Sequence, residues 1–137
     1  MATGVWSWDA TAANNSNADA SINWAEGQAP STINDSARSE MAGMAKYLLD
    51  AHGALTTTGA ANTYSVTTNS TIAALRDGLG ISVVVNASAT GASTLNVDAL
   101  GAKKIRKITN SGEEAIGADE LRAVSYTHLT LPTICSV

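Results

Sequence analysis

Between Pro30 and Gly53, the residues Ala37, Met41, Met44, Leu48 and Ala51 recur at intervals of four, three, four and three. That spacing lays apolar side chains along one stripe of an α-helix, the kind of stripe that two helices can share as a seam. Pro30 and Ser31 mark a start, with Ser31 or Asn34 as the cap and Asp35 where the positive end of a helix favours a carboxylate. Gly53 follows His52 where a left-handed C-terminal residue is wanted. An amphipathic helix is therefore predicted over residues 31–53, with its regular part at about 32–52. Its stripe has two possible uses: a seam between copies, or a face laid on the chain's own β-domain. Gly43 is either a weak point in such a helix or a point of close approach.

The rest of the chain offers little to fill a core. Alanine occurs 25 times, phenylalanine not at all, and aromatic residues make up 4% of the 137. Burying alanine removes far less apolar surface than burying leucine, at about 25 cal/mol per Å², so a lone subunit gains little from its own interior. Association with identical copies is the expected remedy. The net charge of −4 argues against a nucleic-acid partner, which calls for a basic face. The single basic cluster, Lys103, Lys104, Arg106 and Lys107, is interleaved with Ile105 and Ile108. It reads as a solvated strand edge that resists unwanted pairing, with contact to an anionic surface glycan as the second reading. No apolar run approaches the roughly 20 residues that cross a bilayer, and the first residues lack the basic and apolar regions of a signal peptide. Neither membrane insertion nor export by that route is expected.

Residues 1–30 are rich in Ala, Asn, Ser and Asp and hold no sustained period, which predicts an extended, irregular arm. Trp6, Trp8 and Trp24 are its anchors, covered either by a neighbouring subunit or larger assembly or by the following helix. Residues 54–62 read as a Thr, Gly and Ala linker, and 63–123 as an antiparallel β-domain. Strands are predicted at Thr63–Thr67, at Ile81–Ala87 as the strongest, at Thr94–Val97 and at Lys103–Ile108, the last three forming a meander. Residues 71–79 fit a turn of helix or a bent strand equally. Turns are expected at 90–92, 98–101 and 110–112, and residues 113–122 should lead toward a further strand. The fold class is α+β. Residues 124–137 carry no charge and break with everything before them. Val124–Thr133 resembles the translation of a sequencing-library adapter, so Cys135 and His128 are given no role.

Few residues suggest chemistry. A serine nucleophile needs a base, and His52, the remaining histidine, sits at a helix end. With no trusted cysteine, metal ligands would have to come from Asp77, Asp98, Glu113, Glu114, Asp119 and Glu120, which show no calcium-loop spacing. Glu113 and Glu114 are adjacent, so on a strand they face opposite ways and cannot form an acid–base pair. Gly78-Leu79-Gly80 precedes a strand rather than following one, the wrong order for a dinucleotide fingerprint. No catalytic residue, cofactor or metal is assigned.

Two stretches carry a family resemblance. Residues 22–38, INWAEGQAPSTINDSAR, and residues 91–105, GASTLNVDALGAKKI, resemble in order two motifs of bacteriophage tail fibre and related tail proteins. The resemblance covers about residues 3–108. It implies a structural virion protein, a tail fibre or tail-tip segment assembled in the host cytoplasm. Its expected partners are identical copies in a homotrimer, other tail proteins and, through exposed residues such as Tyr64 or the Lys103–Lys107 edge, bacterial surface polysaccharide. The alternatives are a glycan-binding adhesin module and the leading fragment of a capsule depolymerase.

Overall fold

A computed structural model describes residues 4–53 and 55–123, so the adapter-like segment lies outside the described residues. The class is α+β, as the sequence predicts: the described residues form one α-helix and several small sheets of short strands. Residues 4–29 are irregular apart from a single 3₁₀ turn at Ala12–Asn15. The arm is not extended, however, because its short polar side chains bond to neighbouring backbone and curl it. Asp9 accepts the Thr11 N–H at 2.7 Å, and Asp19 accepts the N–H and hydroxyl of Ser21 at 2.8 and 2.7 Å. Asp19 also takes the N–H of Gly4, fifteen residues back, which closes the arm on itself.

Pro30 opens a 3₁₀ turn, Pro30–Thr32, that runs directly into α1, Ile33–Ala51. Neither Ser31 nor Asn34 caps the helix. The position falls to Thr32, whose hydroxyl donates to Ala29 O at 2.8 Å instead. The Thr32 N–H bonds Ala29 O and the Ile33 N–H bonds Pro30 O, so the tight entry turn already satisfies groups a side-chain cap would serve. At the other end Gly53 takes φ +78°, as predicted, and stops the helix.

The β part departs from the predicted meander. The predicted linker holds two strands, β1 (Leu55–Thr56) and β2 (Thr58–Ala60), the second forming a hairpin with β3 (Thr63–Val66). The segment Ile81–Ala87 forms only β4, Val83–Val84, which runs parallel to β1. The side chain of Asn86 ends that pairing: it accepts the Thr57 hydroxyl at 2.8 Å and donates to Gly59 O at 2.9 Å. β5 (Thr94–Val97) runs parallel to β3 and antiparallel to β6 (Lys103–Lys104), giving a mixed sheet in the order β2-β3-β5-β6. The predicted strand 103–108 is split at Ile105, whose N–H still continues the β5–β6 register by bonding Ser93 O at 2.9 Å. Beyond it β7 (Arg106–Thr109) pairs with β8 (Gly112–Ala115) in a separate antiparallel ribbon. Residues 71–79 form neither helix nor strand.

Two backbone positions hold this layout. Gly59 has φ +93°, and a Cβ there would lie 2.3 Å from Thr63 O. Gly59→Ala is expected to lower stability by about 3 kcal/mol, combining strained backbone with a backbone clash, read as a fall in urea midpoint at unchanged slope. Asp98 and Ala99 both take positive φ, 47° and 59°, the geometry of a tight hairpin turn between β5 and β6. The Asp98 carboxylate then accepts the Thr68 N–H at 2.8 Å, the Thr68 hydroxyl at 2.5 Å and the Ile72 N–H at 2.7 Å. That clamp delivers Ile72 into a small core with Leu55, Val66 and Val97, against which Trp6, Leu75, Leu79 and Leu95 pack.

Candidate association surface

α1 faces the chain with its polar side. Ser36, Gly43 and Asp50, each two turns from the next, are its buried residues. Its large apolar residues point elsewhere: Met41 is 72% exposed, Ile33, Met44 and Leu48 are each 47% exposed, and Leu49, off the line of the others, is 48% exposed. Ala37 and Ala51 are half-buried at the margin of the same stripe. The alternative in which the apolar face lies on the chain's own β-domain is thus overturned, since the fold sets that face outward. Ile33, four residues before Ala37, extends the stripe and was legible from its spacing. Covering the four large side chains would gain about 1 kcal/mol each, given that roughly half of each is still in water.

The arm occupies the opposite flank. Trp8 lies against Gly43 so closely that a Cβ there would meet the indole at 3.2 Å and Gly4 Cα at 3.3 Å. Gly43 is therefore a point of close approach. Trp6 meets Tyr47 edge to face, with centroids 5.7 Å apart, and its carbonyl accepts Arg76 Nη2 at 2.6 Å. Trp24 donates its indole N–H to Glu40 Oε1 at 2.5 Å, while the Asn23 N–H bonds Ser36 Oγ at 3.0 Å. All three tryptophans thus anchor the arm on the chain's own helix, and the apolar stripe stays open. Gly43→Val is expected to lever Trp8 off α1 at a cost of about 2 kcal/mol, visible as a red shift of tryptophan emission with helical circular dichroism retained.

Two buried carboxylates lock this arrangement without a cationic partner. Asp50, with no exposed surface, accepts Asn69 N–H at 2.8 Å, Asn69 Nδ2 at 2.9 Å and Ser70 N–H at 3.0 Å. Burial pushes its carboxyl up, but the donors of Ser70 and Asn69 together outweigh burial and hold it below the ordinary value. Asp19 behaves alike: burial raises it, and Ser21 and Gly4 lower it further than burial lifts it. A carboxyl with a lowered folded pKa stabilises the fold above the unfolded value of about 4, and that stability is lost as pH falls through the folded value. The urea midpoint should be level from pH 7 to about 5 and decline steeply below about 4. A midpoint that is flat or rising down to pH 3 would contradict the two locks.

The basic cluster is partly neutralised. Lys107 meets Glu120 at 2.5 Å, which raises the lysine and lowers the glutamate, and Arg106 lies 3.6 Å from Glu113. Lys103 and Lys104 are exposed on β6, an edge strand of the four-stranded sheet, where charge discourages further pairing. Tyr64 cannot serve a glycan as the sequence suggests: it is 1% exposed, and its hydroxyl donates to Ala87 O at 2.8 Å. His52 is exposed beyond the helix end. Among the described residues no group of three or more His, Cys, Asp or Glu is placed to hold a metal, and no helix is long and apolar enough to cross a membrane.

Comparison with known proteins gives no match to a family model, to a curated protein or to a solved structure.

Proposed function

We propose that this chain is a structural segment of a bacteriophage tail, a fibre or tail-tip piece of the virion that joins identical copies, and other tail proteins, through the outward stripe of α1. The observation that carries the association is the inverted helix: polar toward its own chain, apolar toward water. A monomeric protein gains nothing by exposing Met41, Met44 and Leu48 in one line while burying Ser36 and Asp50. Heptad spacing fits a helical partner, and three copies around an axis would share the interior that one alanine-rich copy lacks. The tail assignment rests on the two sequence motifs at 22–38 and 91–105. Its test is the genomic neighbourhood: tail-assembly genes on either side support it, and a run of metabolic genes contradicts it.

A second reading, attachment to surface polysaccharide, is supported by Lys103 and Lys104 and by a cavity of about 210 Å³ lined by Ser93, Thr94, Lys104 and Arg106. Glycan arrays on the whole chain test it, with retention of acidic glycans expected and Lys104→Glu abolishing it. A depolymerase fragment, the third reading, would show polysaccharide cleavage from the intact gene product.

A further inference from the structure

Where the arm crosses α1, a cleft of about 670 Å³ is lined by Asn15, Ser16, Trp24, Glu26 and Glu40, among others. A second cavity of about 160 Å³ adjoins it, sharing Asn15, Trp24 and Glu40 and adding Asp9 and Asp19. Trp24 is 37% exposed. Its bond to Glu40 Oε1 fixes indole and carboxylate in one arrangement, so the site is preorganised. No lysine or arginine lines either cavity.

We propose that this cleft binds an organic ammonium group, quaternary or primary, against the Trp24 indole with Glu40 and Glu26 as counter-charges. An aromatic ring attracts a cation through its electron-rich face, tryptophan most strongly, and nearby carboxylates add to that field. The same field repels phosphate, sulfate and uronate. A divalent metal ion is the weaker candidate, because the lining carboxylates do not converge as a ligand set. Asp19, held ionised by its own donors, maintains the negative potential of the inner cavity at neutral pH. The proposal is independent of the tail assignment, since it rests on the arm and helix alone.

The test uses the full chain labelled with ¹⁵N, in which each tryptophan gives an indole N–H signal and Trp24→Phe identifies that of Trp24. Choline chloride is titrated against sodium chloride of equal ionic strength, alongside 3,3-dimethylbutan-1-ol, the uncharged isostere of choline. The expected result is a saturable shift of the Trp24 signal by choline, with a Kd on the order of 1–10 mM, and at least a five-fold weaker response to the neutral isostere. Glu40→Gln, which keeps an acceptor for the indole, should weaken choline about five-fold. Exposed Glu26→Gln should weaken it too, and stands in if the first variant misfolds. Equal shifts from choline and its isostere, no saturable shift, or undiminished binding in the folded variants would overturn the proposal.

Discussion

Asp50→Ala is expected to destabilise the protein by about 4 kcal/mol, a large share of the roughly 5–15 kcal/mol that ordinarily separates a folded domain from its unfolded chain. The substitution removes the acceptor of two backbone N–H groups and one side-chain amide in a site closed to water. Each buried donor left without a partner costs about 1–3 kcal/mol. The position also joins three parts of the fold: the last full turn of α1, the loop at Asn69 and Ser70, and Ser82, whose N–H bonds the Asp50 carbonyl at 2.9 Å just before β4. Asp50→Asn, similar in shape but carrying two donors of its own, is expected to lose about 2 kcal/mol. Equilibrium urea unfolding of the two variants checks the order. A cost under 1 kcal/mol for the alanine variant would mean that water satisfies these donors.

The second large effect falls on association and spares the fold. Met41→Lys combined with Leu48→Lys is expected to weaken self-association at least 100-fold, since the seam would then have to bury two charges per copy. Both side chains are already substantially exposed in the single chain, so helical circular dichroism and thermal unfolding of the dissociated variant should change little. A control pair of lysines on another side of the helix, at the exposed Ala42 and Leu49, should leave association intact, because those positions lie off the line of the stripe. If the stripe pair melts the protein instead, these residues belong to the core and the outward orientation is wrong.

Much of this was legible in the sequence, and the limits have physical causes. The helix and its Gly53 stop follow from local signals, a 3.6-residue period and a left-handed position, and both appear where expected. The cap failed because an entry turn can satisfy the first N–H groups as well as a serine can. Strand existence was read well at β3 and β5, and pairing badly. Ile81–Ala87 is dense in β-branched residues, yet only Val83 and Val84 pair, because Asn86 bonds Thr57 and Gly59, a contact across 29 and 27 residues that no local pattern reveals. Parallel pairing of β3 with β5 was missed for the same reason, as sequential strands favour antiparallel neighbours. Of the candidate surface, the seam residues were read from spacing alone, whereas the side of the helix facing its own chain was not. That choice is made by Ser36, Gly43 and Asp50, which bind the arm and the 69–70 loop, and a polar stripe that buries itself has the same period as one that faces water.

The central claim is that the outward stripe of α1 is completed by other copies of the chain. Sedimentation equilibrium of the unaltered protein from about 1 to 100 µM, a span that brackets micromolar association, tests it most directly. The expected mass rises with concentration toward three times the 14.0 kDa of one chain. A constant 14.0 kDa across the whole range, from a sample that still melts cooperatively, would contradict it.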